Sequence, residues 1–220
     1  MQEIIKNFSL YFIPIMFGVI IHEVAHGWMA EKLGDPTARV MGRISLNPVV
    51  HVSLFGTIIL PAFLLIMKSP ILFGWAKPVP VDFNRLRHGR KGMAMVAVAG
   101  PLSNFIIAAL SAIFYHLLLF VGNTGILKAV PLLSKLIIPL ILMCAASVNI
   151  NIILMVLNLI PIPPLDGGRI VVGLLPEEQA RLFASIERYG MIILIFLLFS
   201  NLLGKIISPV LSFFINFFIG

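Results

Sequence analysis

The chain has 220 residues, of which 60% are hydrophobic and 11% charged, and its formal net charge is +7. Soluble domains carry about 25% charged residues, so this composition excludes a water-soluble globule and indicates a polytopic membrane protein. The Lys and Arg residues lie between apolar segments, which indicates membrane orientation and not nucleic-acid binding. The single cysteine, Cys144, excludes an internal disulfide and a cysteine-rich zinc cluster.

Five apolar segments alternate with four connections along the chain. The segments cover about 8–33, 52–67, 93–121, 132–160 and 190–219. A transmembrane helix needs about 20 residues, so the second segment, which contains Gly56 and Pro61, is marginal. We predict an all-α membrane protein with about 4–6 transmembrane segments, of which the second segment is re-entrant. The last segment forms either one long span or a hairpin.

The connections differ in their patterns. Residues 38–46 alternate imperfectly between apolar and polar side chains and stop at Asn47-Pro48. This pattern predicts a small β-strand or hairpin after the first span, with an edge that could pair with an unwound peptide. Residues 69–92 are rich in Pro, Gly, Lys and Arg and predict an irregular interfacial loop. The whole chain, 1–220, is predicted to form one membrane domain with its core at about 8–170 and a C-terminal membrane segment at about 190–219.

Three ionisable side chains lie within five positions of the first span. His22 and His26 are four residues apart, so on a helix both imidazoles share one face and can bind a single Zn²⁺. Glu23 follows the first histidine and can serve as a general base. The alternative is two structural histidines beside an incidental glutamate. Such groups are costly to bury in a membrane and are typical of a functional site.

A catalytic zinc has three protein ligands and one open position, so a third ligand must come from elsewhere. Asp35 lies in a Gly-Asp-Pro turn, where capping suits it better, and Asp82 lies in a basic loop. Asp166 follows a stretch in which three prolines interrupt the helix at membrane depth. Irregular backbone at that depth is tolerated where it lines a cavity. We therefore predict Asp166 as the third ligand, and a turn aspartate is the alternative.

These motifs carry a family resemblance. The chain resembles the site-2 protease family of intramembrane zinc metalloproteases, in its short form without a PDZ domain. The matching segments are 22–27 (HEVAHG), 100–104 (GPLSN), 158–161 (NLIP) and 165–169 (LDGGR). The resemblance implies one Zn²⁺ per chain held by His22, His26 and Asp166. It also implies Glu23 as the catalytic base and Asn158 as a group that stabilises the oxyanion.

Two further polar residues belong to this pattern. His51 ends residues 47–51 (NPVVH), which the resemblance also covers, and it is either a metal ligand, a residue that supports a ligand, or an interfacial histidine. Asn104 lies beside Pro101 in an apolar helix, where a buried amide needs a partner. It either packs the core helices together or helps to line the site.

The position of the predicted ligands constrains the topology. His22 and His26 lie late in the first span and Asp166 follows the fourth, so these ends must reach the same side of the membrane. Crossings by both the second and the third segment would prevent this, so the second segment is predicted not to cross. The connections on the active-site side then carry twelve Lys and Arg, against three on the other side. The positive-inside rule places the zinc nearer the cytoplasmic face and the N-terminus outside.

The sequence thus predicts a multi-pass zinc endopeptidase of the cell membrane. Its substrate would be a membrane protein that is cut within or next to a transmembrane helix. The alternatives are a membrane metal transporter and a non-catalytic scaffold with a structural zinc. A transporter needs polar residues along several spans, and a structural zinc usually has four ligands. The sequence indicates neither the identity of the substrate nor the oligomeric state.

Overall fold

The computed structural model describes residues 2–67, 74–124 and 131–220. Its α-helices are α1 (Gln2–Lys32), α2 (Thr37–Val40), α3 (Leu60–Ile66), α4 (Gly89–Asn123), α5 (Pro131–Asn158), α6 (Asp166–Leu174), α7 (Glu177–Ala184), α8 (Glu187–Phe199) and α9 (Leu202–Ile219). A π-helix at Leu54–Ile59 precedes α3, and 3₁₀ turns lie at Pro48–His51 and Phe83–Arg85. Residues 68–73, where the predicted interfacial loop begins, and 125–130, in the connection before the fourth segment, lie outside the described residues.

Among the described residues, four helical stretches are long and apolar enough to cross a membrane. They are Leu10–Lys32, Gly89–Asn123, Leu132–Asn158 and Leu202–Ile219. The pair α7 and α8 is a fifth candidate, bent by 56° at the break between the two helices. The architecture therefore fits the predicted all-α polytopic class. The last apolar segment is divided into α8 and α9, because Asn201 between them adopts a left-handed backbone conformation with φ of 58°.

The core of the bundle lies between α4 and α5, and α1 and α9 pack against it. Ala108 and Ala112 of α4 are buried against Val148 and Ile152 of α5. Small residues allow two membrane helices to approach closely, which increases van der Waals contact where lipid provides no hydrophobic driving force. Phe218 of α9 completes this cluster, so the C-terminal helix is part of the folded body.

The prediction of a strand after the first span is wrong. The described residues contain no strand, and residues 37–40 form the short helix α2. Gly42, with φ of 64°, ends this helical turn, and the amide of Arg43 donates to the carbonyl of Ala38 at 2.8 Å. The alternation in the sequence does not correspond to burial, because the charged Arg43 is buried while the apolar Val40 is exposed. The proposed edge for strand addition is therefore absent from this stretch.

The second apolar segment forms a helix that is too short to span a bilayer. The apolar helical stretch Leu54–Leu64 would reach about 16 Å at 1.5 Å per residue, whereas the hydrocarbon core is about 30 Å thick. The chain then returns, because the amide of Trp75 donates to the carbonyl of Gly56 at 3.1 Å. Thr57 Oγ1 also donates to the Trp75 carbonyl at 2.9 Å. Trp75 thus lies beside Gly56 and Thr57, at the beginning of the second apolar segment.

A buried carboxylate joins the two connections that flank this segment. Asp35 accepts hydrogen bonds from the amide of Thr37 at 3.0 Å and from the amide of Asp82 at 2.7 Å. Burial by itself raises the pKa of Asp35, but the hydrogen bonds from Thr37 and Asp82 outweigh it and hold the pKa below its usual value. The amide of Arg87 also donates to the Leu33 carbonyl at 2.7 Å. The beginning of α4 therefore lies beside the end of α1.

Candidate active site and metal centre

Three side chains from opposite ends of the sequence converge on one point. His22 Nε2 and His26 Nε2 lie 3.0 Å apart, and they lie 3.1 Å and 3.2 Å from Asp166 Oδ2. In the described part of the chain, this is the group of His, Cys, Asp and Glu side chains that could hold a metal ion. The separations are close to the about 3.4 Å that bonds of 2.0–2.1 Å imply between ligands of a tetrahedral zinc.

The hydrogen bonds at Nδ1 of the two histidines leave each Nε2 available to bind a cation. His22 Nδ1 faces Asn104 Oδ1 at 2.6 Å, and His26 Nδ1 faces the carbonyl of Val96 at 2.8 Å. Because a carbonyl oxygen can only accept, each Nδ1 carries the proton, and each Nε2 of a neutral ring presents a lone pair. Asp166 Oδ2 is buried and receives no hydrogen bond from the described residues. Three lone-pair donors that face one another are stabilised by a metal ion, so these residues fit zinc.

Glycines allow the helices to bring these ligands together. A Cβ at Gly100 would lie 2.6 Å from His22 Cε1 and closer still to the ring of His26. At Gly167 and Gly168 a Cβ would collide with the backbone of the turn over residues 159–163. The turn can therefore fold against the first residues of α6, which places Asp166 at the metal site. Gly100, Gly167 and Gly168 lie in segments of the family resemblance, but these close approaches between distant residues are not visible in the sequence.

The predicted base lies in the same cavity as the three ligands. A cavity of about 620 Å³ is lined by His22, Glu23, His26 and Asp166. Its other walls are mostly apolar and come from α4, α5, α8 and a segment without regular secondary structure, residues 74–82, which we call the covering segment. Glu23 Oε2 accepts a hydrogen bond from the amide of Val79 in this segment at 2.7 Å. The carboxylate is therefore held at the cavity by backbone, an interaction that side-chain patterns in the sequence do not reveal.

The covering segment is anchored along its length. The amide of Lys77 donates to the carbonyl of His51 at 2.8 Å, and Arg43 Nη2 donates to the carbonyl of Lys77 at 2.7 Å. Arg43 is buried, although its place in the sequence predicts only a charge that helps to orient the chain in the membrane. Burial of a charged side chain requires hydrogen-bonding partners, and here the partners are the carbonyls of the covering segment.

The remaining predicted residues take different places. Asn158 lines the cavity, and its Nδ2 donates to the carbonyl of Leu154 at 2.9 Å. Asn104 contacts His22 directly, as described above. His51 is buried outside the metal cluster, and its Nε2 donates to the carbonyl of Ser45 at 2.8 Å. The structure thus brings Asn158 and Asn104 to the site, whereas His51 belongs to the anchorage of the covering segment.

Comparison with known proteins agrees with this geometry. The model of peptidase family M50 matches residues 10–201. A protein of Bacillus subtilis (strain 168) named "Putative zinc metalloprotease YwhC" is 33% identical over 200 residues, which cover 91% of this chain and 84% of that protein. A protein of Mycolicibacterium smegmatis named "Putative zinc metalloprotease Rip2" is 23% identical over 215 residues, covering 92% of this chain and 71% of that protein. No solved structure matches the chain.

Family membership and geometry support the same conclusion. The family match covers most of the chain, and His22, His26 and Asp166 form a cluster that could bind the Zn²⁺ that the family requires. The helices that could cross a membrane make it a multi-pass membrane protein. The chain belongs to peptidase family M50, the site-2 protease family, and is an intramembrane zinc metalloprotease.

Proposed function

We propose that the protein hydrolyses a peptide bond within or next to a transmembrane helix of a membrane-protein substrate, and that five residues carry the reaction. His22, His26 and Asp166 hold the zinc, Glu23 is the catalytic base, and Asn158 stabilises the oxyanion. The observation that carries this proposal is that the Glu23 carboxylate lines the same cavity as the three converging ligand atoms.

The proposed chemistry uses each side chain at a stated atom. Bound zinc supplies Lewis-acid polarisation of the attacking water and of the scissile carbonyl. Glu23 Oε2 accepts the Val79 amide, so we assign proton transfer to Oε1. This atom takes a proton from the water as its oxygen bonds to the carbonyl carbon, and delivers the proton to the amine nitrogen as the C–N bond breaks.

Asn158 and the cavity walls serve the substrate. One amide hydrogen of Asn158 is used by the Leu154 carbonyl, and an amide group has a second hydrogen, which can donate to the developing oxyanion. The mostly apolar walls suit an apolar peptide. Because a helix has its amides internally bonded, the substrate must unwind locally before its scissile carbonyl can reach these groups.

We also propose that the active site lies nearer the cytoplasmic face and that the N-terminus is outside. In this topology the connections before and after the second apolar segment lie on the same side of the membrane. The contacts of Asp35 with both Thr37 and Asp82 support this. The twelve Lys and Arg predicted for that side support its cytoplasmic assignment. Cysteines introduced at positions 37 and 82 should be labelled from the cytoplasmic side. Labelling from opposite sides would overturn the topology.

The test of the reaction uses purified full-length protein and a membrane-spanning test substrate. Glu23→Gln should lower the cleavage rate by about 10²–10⁴-fold, the range of general acid–base catalysis. One zinc per chain should remain bound. Glu31→Gln is the matched control on the same helix, because Glu31 lies outside the cavity and pairs with Arg39. Full cleavage by Glu23→Gln would rule out Glu23 as the base. Zinc without cleavage in both wild type and variant would favour a scaffold.

A further inference from the structure

A row of hydrogen-bonded polar groups leads from His22 into the apolar core. Asn104 Oδ1 faces His22 Nδ1 at 2.6 Å, and Asn104 Nδ2 donates to the Gly18 carbonyl at 3.1 Å and to Asn151 Oδ1 at 2.8 Å. Asn104 and Asn151 are both fully buried. Asn151 lies outside the cavity lining, and nothing in the reaction described above uses it.

The orientation of the Asn104 amide determines which nitrogen of His22 carries the proton. In the observed orientation, both Nδ2 hydrogens point at oxygens and Oδ1 accepts from His22 Nδ1. The reversed amide would place Oδ1 against two acceptor oxygens, and Nδ2 would donate to His22 Nδ1. The ring proton would then move to Nε2, which would leave no lone pair on that atom for a metal.

The orientation of Asn151 is set in turn by the backbone of α5. Asn151 Nδ2 donates to the carbonyl of Ser147 at 2.9 Å and approaches Ser147 Oγ at 3.3 Å. A backbone carbonyl can only accept, so Nδ2 must face Ser147 and Oδ1 must face Asn104. The Ser147 carbonyl therefore sets the orientation of the Asn151 amide, which sets that of the Asn104 amide. The Asn104 amide in turn determines that His22 Nδ1 carries the proton.

The close approach of α1 and α5 depends on Gly18. A Cβ at this position would lie 2.8 Å from Asn151 Oδ1 and 3.1 Å from Leu154 Cδ1. Any larger residue would push Asn151 away from Asn104. Gly18 thus provides one acceptor for Asn104, its own carbonyl, and leaves space for the second acceptor, Asn151 Oδ1.

We propose that Asn151 is a positioning residue for the zinc site. It holds the Asn104 amide in the orientation that keeps the His22 proton on Nδ1 and leaves Nε2 available to the metal. The proposal rests on the proposed role of His22 as a zinc ligand. The competing role is a polar clasp between α4 and α5, like the bond of 2.8 Å between Ser111 Oγ and Ser147 Oγ.

Two variants separate these roles. Asn151→Leu removes the acceptor for Asn104 and keeps a side chain of similar size. Ser147→Ala removes the hydroxyl bond between the helices but retains the carbonyl that orients Asn151. The readouts are zinc affinity by chelator competition, and the tautomer of His22 by long-range ¹H–¹⁵N spectra of the metal-free full-length protein in detergent. The His22 signal is identified by its loss in His22→Ala.

The expected result is a His22 proton on Nδ1 in wild type and in Ser147→Ala, and a mixture of tautomers in Asn151→Leu. A mixture is expected because the Gly18 carbonyl still favours the observed orientation. Zinc binding should weaken by about 10-fold, the lower end of the range for residues that support a ligand, and should change less than about twofold in Ser147→Ala. An unchanged tautomer in Asn151→Leu, or equal losses of zinc affinity in both variants, would overturn the proposal.

A third variant covers the case in which Asn151→Leu does not fold. Gly18→Ala retains every hydrogen-bonding group but displaces Asn151 Oδ1, so it should shift the tautomer and the zinc affinity in the same direction. Wild-type values in a folded Gly18→Ala protein would then overturn the proposal. Zinc retained by His22→Ala would instead refute the ligand assignment on which it rests, so the two failures are distinguishable.

Discussion

The proposed metal ligands and the proposed catalytic base are held by different parts of the molecule. His22 and His26 on α1 are oriented by groups of α4, and Asp166 is placed by the first turn of α6. Glu23 lies next to His22 in the sequence, but it is bonded to the amide of Val79 in the covering segment, residues 74–82. Helix α1 therefore carries two proposed ligands that face the helix bundle and a proposed base that faces a connecting segment.

This difference separates two functional requirements. Metal ligands must be held within about 0.5 Å of their productive geometry, which packed helices achieve best. A base beside a substrate cavity must also allow the substrate to enter, and connecting segments can move to permit this. We therefore expect mutations in the helices to affect zinc binding, and mutations in the covering segment to affect turnover with zinc still bound.

The largest effect is expected from Asp166→Asn. The amide removes the negative charge and one ligand atom, so zinc affinity should fall by more than about 100-fold, beyond the 10–100-fold typical of residues that merely support a ligand. Cleavage should be lost with it. Metal content after dialysis against a chelator measures the change. The control is Glu178→Gln on the exposed side of α7, and wild-type zinc content in Asp166→Asn would contradict the ligand assignment.

A smaller loss of zinc is expected from Gly100→Ala. The added methyl group would collide with the rings of both histidines, so α4 or the rings must shift, and zinc affinity should fall by about 10–100-fold. Gly204→Ala in α9 is the matched control, because its new methyl group meets only the Asn201 side chain at 3.3 Å. Chelator competition compares the two variants, and equal affinities would show that α4 does not constrain the ligands.

In the covering segment, Val79→Pro should slow turnover and leave zinc bound. The substitution removes the amide that donates to Glu23 Oε2. A hydrogen bond to a charged group contributes about 1.5–3 kcal/mol, so kcat should fall by about 10–100-fold. Val79→Ala retains the amide and tests the side chain alone. Loss of zinc in Val79→Pro would show that the covering segment also affects the zinc ligands, contrary to this expectation.

The smallest effect is expected from Asp35→Asn, which weakens the junction between the two connections. Asp35 accepts from the amide and hydroxyl of Thr37 through Oδ1 and from the amide of Asp82 through Oδ2. Asparagine has one acceptor oxygen, so at least one of these three bonds is lost, and stability should fall by about 1–3 kcal/mol near neutral pH. Because the folded-state pKa of Asp35 is below its usual value, its contribution is complete above that usual value and is lost as the pH falls through the folded-state pKa. Thermal unfolding in detergent should therefore show a gap between variant and wild type that closes in acid, and a gap independent of pH would contradict this.

Local patterns predicted the site better than they predicted the connections. The spacing of His22 and His26 places both rings on one helix face whatever surrounds them, so this pair could be recognised from the sequence. The strand prediction at residues 38–46 was wrong because alternation over nine residues is weaker than the helix signals around it. Pro36 precedes the helical turn and Gly42 ends it. A proline before a short segment and a glycine after it are the sequence features that indicate a helical turn here.

Other features could not be predicted because their partners are distant in the chain. The bond between Glu23 and Val79 involves a backbone amide, which every residue except proline possesses, so no residue type marks it. Asn151 lies in an apolar helix 47 residues from Asn104, and its role depends on the direction of two amides. Burial of His51 in the anchorage of the covering segment likewise depends on where residues 45 and 77 come to lie.

Local features of the sequence are enough to predict the chemistry of this protein: a membrane chain, two histidines and a glutamate on one helix turn, and an interrupted helix before Asp166. Composition and helical periodicity are local properties, and they are expressed in any fold that keeps the first span helical. How these groups are arranged relative to one another depends on the tertiary structure. It brought Asp166 within 3.2 Å of both histidines, assigned the ring protons through Asn104 and Val96, and placed a backbone amide on Glu23. These are pairwise distances between remote residues, which only the packing of the helices can set.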